Sequence, residues 1–163
     1  ETKSMDGFLF LEEDYIVAPT IYENIQKGFT YIDSKGRREE FFGLALDPTD
    51  GYAFSPPANP GWVERKFVTG PMAIRRDVFA KIRDHAKDFC EFDDYNWDWS
   101  LLHTSLKCTK STLNVMFMKA PRVFHIGECG FHKKNWFCNP DDKVREVSKT
   151  IEKAGLSMKA YEK

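Results

Sequence analysis

The sequence predicts an α/β fold, on three observations. Short apolar runs stop at acids or turn residues, as in "FLFLEED" and "PRVFHIG". Segments with helical spacing alternate with them, as in "IYENIQKGF" and "NPDDKVREVSKTIEKAG". No internal repeat or low-complexity linker interrupts the 163 residues. Apolar runs too short for a helix are strands, a 3.6-residue period marks a helix, and their alternation marks an α/β domain. A chain of this length suits one domain with a substantial core.

The elements follow in order. Residues 8–11 form an apolar run that reads as a buried strand, cut off by Glu12, Glu13 and Asp14. "IYENIQKGF" reads as a helix with Pro19 near its start and Gly28 near its end. Between residues 31 and 62, "DPTDG" and "SPPANPG" signal turns, so irregular structure with short strands is expected. "RRDVFAKIRDHAKDF" puts Val78, Phe79, Ile82 and Ala86 on one face, the pattern of an amphipathic helix. Asn96 is an acceptable N-cap for a helix through "WDWSLLHTSL". "STLNVMFM" and "PRVFHIG" read as two strands with a short connection. The last helix is capped by Asn139 or Asp141 and ends near Gly155.

Composition bounds the function. Lys plus Arg is 24 against 25 for Asp plus Glu, which argues against a polybasic nucleic-acid binder. No stretch approaches the roughly 20 apolar residues needed to cross a bilayer, and "ETKSMDGFLF" lacks a signal-peptide layout, so this segment is expected to be soluble. The four cysteines, Cys90, Cys108, Cys129 and Cys138, have no C-x-x-C spacing. A disulfide between Cys129 and Cys138 could staple the loop "GFHKKNWF"; on spacing alone, reduced thiols in a cytosolic protein fit as well.

Two stretches carry chemistry. In open α/β sheets ligands gather beyond the carboxyl ends of strands, and Glu12, Glu13 and Asp14 stand at such an end. Mg²⁺ or Mn²⁺ is commonly held there by one or two carboxylates, with phosphate and water completing the shell. Taken alone, the acidic trio is an ordinary solvated turn. "DDYNWDW" sets three acids among three large aromatics. Sugar rings stack their C–H faces on aromatics and offer hydroxyls to carboxylates, so both chemistries in one pocket suit sugar recognition. With Asn96 as cap, Asp98 falls in the first turn of its helix, where the macrodipole favours the ionised carboxylate by roughly 0.3–1 kcal/mol.

Together, "FLFLEED", "CEFDDYNWDWSL" and "APRVFHIGECGFHKK" resemble the N-acetylglucosaminyltransferase II family of eukaryotic glycoprotein-processing enzymes. The resemblance runs from about residue 8 to 138 and is weakest between 31 and 68. It implies a GT-A type fold, a mixed sheet flanked by helices, of which residues 1–163 would be the C-terminal part, with the upstream nucleotide-binding half missing. It implies an inverting transfer of N-acetylglucosamine from a UDP-GlcNAc donor to the 2-hydroxyl of the α-1,6-arm mannose of an N-glycan acceptor. Asp14 and His125 match the ligands of Mn²⁺, Asp98 the catalytic base, and Glu12 and Trp97 positions facing donor or acceptor. On the residues alone, His125 is a packed strand-end histidine. Cys129 and Cys138 match a family disulfide, which implies an oxidised, lumenal Golgi setting and a membrane-anchored parent. A family cysteine just before Cys90 is replaced, at His85, so Cys90 is expected to pair with Cys108 or either to stay free. The alternative from another class is a non-catalytic glycan-binding module, or an inactive fragment, that lost the donor site.

Overall fold

Backbone polarity dictates that the most apolar runs bury themselves as paired strands, and the computed structural model follows that rule. It describes residues 7–47, 62–67, 70–93, 96–109, 114–118, 122–127 and 139–153. In chain order the elements are β1 (Gly7–Phe10), β2 (Tyr15–Val17), α1 (Ile21–Ser34), a 3-10 turn (Arg38–Glu40), β3 (Phe41–Ala45), β4 (Trp62–Lys66) and β5 (Met72–Arg75). There follow α2 (Arg76–Asp84), α3 (Ala86–Phe92), α4 (Trp97–Thr109), β6 (Asn114–Met118), β7 (Val123–His125) and α5 (Pro140–Lys153).

The main sheet is mixed and has five strands in the order β1-β5-β3-β6-β4. β3 and β6 pair in parallel and the other neighbours pair antiparallel. β1, β3 and β6 therefore point the same way. Phe10 and Ala45 both pair with Met72, and Ala45 also pairs with Phe117, so the carboxyl ends of these three strands share one edge. A second sheet joins β2 to β7, with Tyr15 opposite His125. The two sheets are stitched where Arg122 N–H donates to Leu46 O at 3.4 Å and Ala18 N–H to Arg122 O at 2.7 Å.

Helices cover both faces of the main sheet. Phe29 and Ile32 of α1 pack with Leu44, Ala73 and Met116 on one side. On the other, Val78 and Ile82 of α2 and Leu101 of α4 pack with Phe42, Ile74, Val115 and Phe117. Phe42, Leu44, Ile74 and Val115 are essentially sealed from solvent, and each such side chain contributes about 1.5–3 kcal/mol relative to exposure. Arg75 is buried but satisfied: it donates to Phe29 O at 2.8 Å, meets Asp33 at 2.8 Å and lies over the Phe29 ring, pinning α1 to the sheet. Val147 of α5 packs on Ala18 and Phe124, closing the small sheet.

Several expectations change. β1 is an edge strand in the described sheet, with Phe8 and Leu9 each 37% exposed, rather than a buried one. α1 does not end near Gly28 but runs to Ser34, because Phe29 and Ile32 continue its buried face. Within the turn-rich region, β3 is fully buried at the middle of the sheet. The long amphipathic helix is two: His85 N–H bonds back to Ile82 O, its carbonyl receives Phe89 N–H, and Ala86 turns to solvent. Asn96 precedes α4 and its carbonyl accepts Ser100 N–H, but its side-chain amide donates to Asp93 instead of capping. Of the two alternatives for Cys90 and Cys108 the free one holds: they are not paired, and the Cys108 thiol donates to Lys81 O at 3.4 Å. The proposed Cys129–Cys138 pair lies outside the described residues. Among the described residues, no helix is long and apolar enough to cross a membrane.

Candidate active site

Asp14 lies in the turn after β1, and His125 ends β7. The antiparallel register of β2 with β7 brings them together: Ile126 N–H donates to Asp14 O at 2.8 Å, and Asp14 Oδ2 lies 3.0 Å from His125 Nε2 across 111 residues of sequence. The Tyr15 ring packs beside the imidazole with centroids 5.1 Å apart. Both side chains are about one-third exposed, 35% for Asp14 and 37% for His125. Asp14 Oδ1, in contrast, is buried and accepts no hydrogen bond among the described residues.

This pair fits a hard divalent cation. Carboxylate and imidazole are acceptable donors for Mn²⁺, and the buried Oδ1, which accepts no hydrogen bond among the described residues, has a lone pair to donate to a cation. Two neighbouring ligands, each about 2.1 Å from an octahedral cation, stand about 3 Å apart, which matches the observed separation. Among the described residues no third His, Cys, Asp or Glu completes a cluster, so a cation held by this pair would take its remaining ligands from phosphate or water.

The other three sequence-predicted residues collect at the same sheet edge. Trp97 opens α4; its indole N–H donates to Glu12 Oε1 at 2.5 Å, and its ring stacks beside Phe10, with centroids 6.4 Å apart. The hydrogen bond ties the start of α4 to the turn that carries Asp14. Asp98 follows in the first turn of α4, partly exposed, with Oδ1 accepting Trp99 N–H at 2.8 Å. Trp97 is thus half anchor and half wall, whereas Trp99 is 53% exposed.

Two residues escaped the sequence reading. Asp47 follows β3 at this edge; burial pushes its carboxyl up to about 6, opposed by the charge on His125, so it lies within electrostatic range of the imidazole. Its signal was an acid directly after an apolar run, "FFGLALD". Gly127 stands two residues past His125, against the carboxylate of Asp14. Among the described residues, neither the cavity of about 230 Å³ lined by Arg38, Asp77, Lys81 and Cys108 nor the more open one of about 590 Å³ along α1 is lined by any of these groups.

Comparison with known proteins gives a consistent family. The model of the N-acetylglucosaminyltransferase II (MGAT2) family matches residues 1–161, beyond the 8–138 span of the motifs. Among similar proteins, the alpha-1,6-mannosyl-glycoprotein 2-beta-N-acetylglucosaminyltransferase of Rattus norvegicus is 30% identical over 146 residues, covering 88% of this chain and 33% of that protein. The Homo sapiens protein of the same name is 28% identical over 155 residues (88% and 32%), and that of Arabidopsis thaliana 33% over 136 residues (82% and 30%). The chain spans about a third of the length of these relatives.

Proposed function

The chain belongs to the N-acetylglucosaminyltransferase II family, and from that premise we propose that it carries the metal and acceptor side of an inverting GT-A type glycosyltransferase. The reaction moves N-acetylglucosamine from UDP-GlcNAc to the 2-hydroxyl of the α-1,6-arm mannose of an N-glycan. The observation that carries this reading is the meeting of Asp14 and His125 at 3.0 Å from 111 residues apart, at the edge where α4 begins.

Each residue then has a role. Asp14 and His125 hold Mn²⁺ together with the donor diphosphate; the chemistry bound Mn²⁺ supplies is neutralisation of charge growing on the departing UDP. Asp98 takes the proton of the acceptor 2-hydroxyl as that oxygen bonds to the sugar C1 and the bond from C1 to the diphosphate oxygen breaks. One carboxylate suffices, because inversion needs no enzyme nucleophile. Asp98 stands in the first turn of α4, and the proton moves late, when the hydroxyl has become acidic. Trp97 offers a flat wall to a sugar ring, and Glu12, fixed by the Trp97 indole, offers an acceptor to sugar hydroxyls. The same reading sets the chain in the Golgi lumen on a membrane-anchored parent.

The test is Asp98→Asn in a full-length context, assayed by transfer from UDP-GlcNAc to a mannose-terminated biantennary glycan and by calorimetry of UDP with Mn²⁺. Transfer is expected to fall on the order of 10²–10⁴-fold while Mn²⁺-dependent UDP binding persists. Retained transfer removes Asp98 from the chemistry. Glycan binding that ignores UDP and Mn²⁺, with no transfer in the unaltered protein, favours a glycan-binding module instead.

A further inference from the structure

We propose that Gly127 is a positioning residue: its missing side chain keeps open the space in which Asp14 and His125 face one another. The inference rests on the metal reading above and goes beyond it by assigning a residue that ligates nothing. A β-carbon built on Gly127 would stand 1.9 Å from Asp14 Oδ2, 2.7 Å from Asp14 Cγ and 2.7 Å from His125 Nε2. All three distances are closer than real β-carbons come to heavy atoms beyond their own and adjacent residues.

The glycine is not there for its backbone. The described glycines with φ in the left-handed region are Gly36 and Gly70, and Gly127 is not among them, so alanine fits its backbone without strain. Nor is it there for packing against main chain. Gly43 is the contrast: a β-carbon there would stand 2.3 Å from the Ala73 carbonyl oxygen, inside the sheet. The atoms nearest Gly127 are instead the ends of two side chains. A methyl group would therefore push the Asp14 carboxylate away from the imidazole and leave the fold in place. Asp14 can yield, since it is 35% exposed. Metal sites lose about 10–100-fold in affinity when the groups that orient their ligands are disturbed.

Gly127→Ala separates this role from a structural one, with Gly36→Ala as the control, since Gly36 has φ 64° and open space around it. Mn²⁺ is titrated with UDP present and free Mn²⁺ is read by electron paramagnetic resonance; ¹⁵N NMR of the metal-free chain reads the His125 imidazole; calorimetry gives Tm. Gly127→Ala should weaken Mn²⁺ binding at least about 10-fold, shift the His125 nitrogen resonances and leave Tm within about 2 °C of the unaltered protein. Gly36→Ala should lower Tm by several degrees and leave both other signals unchanged. Unaltered chain that binds Mn²⁺ and a Gly127→Ala chain that binds it equally overturns this inference alone. Loss of folding on Gly127→Ala assigns the glycine to structure and overturns it too. Unaltered chain that binds no Mn²⁺ overturns the metal reading and this inference with it.

Discussion

Asp47 carries a half-buried carboxyl at the edge shared by Asp14 and His125. Burial raises its carboxyl to about 6, and the charge on His125 only partly offsets that. Because the folded value exceeds the unfolded one of 3.8, the unfolded chain ionises first as pH rises. Stability is then lost between about pH 4 and 6, and the penalty is complete above that window. Asp47→Asn should match the unaltered protein near pH 4 and be more stable by about 1–2 kcal/mol at pH 7, a figure discounted for the exposure of the side chain; urea denaturation at both pH values checks it. Individual residues were legible where unusual strings carried them. Asp14, in "EED", and His125, in "FHIGECG", are the pair the fold brings together. Asp47 was hidden because its strand lies in a turn-rich stretch, and Gly127 because its function is an absence of atoms, which shows only once Asp14 is beside it.

At the scale of elements, the termini with a complete local signal were readable. Asn139 caps α5 by accepting Asp141 N–H at 3.0 Å, with Pro140 in the first helical position, where no amide is needed. Asn139→Ala should cost about 1 kcal/mol, and amide exchange in α5 should quicken about fivefold while exchange in β3 and β5 stays at the global rate. Equal acceleration everywhere would mean that α5 unfolds only with the whole domain. Where tertiary packing overrode local pattern, the reading failed. The periodicity of residues 75–89 is continuous, yet His85 breaks the helix so that α3 can pack on α4, held by the 2.5 Å contact of Lys107 with Asp88. The composition of β1 alone predicts burial, but burial depends on which strands flank it, and β5 is its only neighbour in the described sheet.

The whole molecule supplies what neither residues nor elements contain. The alternation of strands and helices indicated the α/β class, and the described structure is a mixed sheet flanked by helices. Pairing β2 with β7 is a long-range event with no local signature, and it alone brings Asp14 to His125. The parallel sense of β1, β3 and β6 then sets Asp14 and Asp47 on one edge, and the Trp97–Glu12 hydrogen bond draws Asp98 to it. The central claim is that this convergence holds a divalent cation through one carboxylate and one imidazole. Electron spin-echo envelope modulation of Mn²⁺ bound with UDP tests it most directly, because the echo is modulated by a directly ligated imidazole nitrogen. The account predicts a histidine-nitrogen modulation that disappears in His125→Ala and persists when His85 or His103 is replaced. Bound Mn²⁺ with no nitrogen modulation, or a modulation that survives His125→Ala, would contradict it.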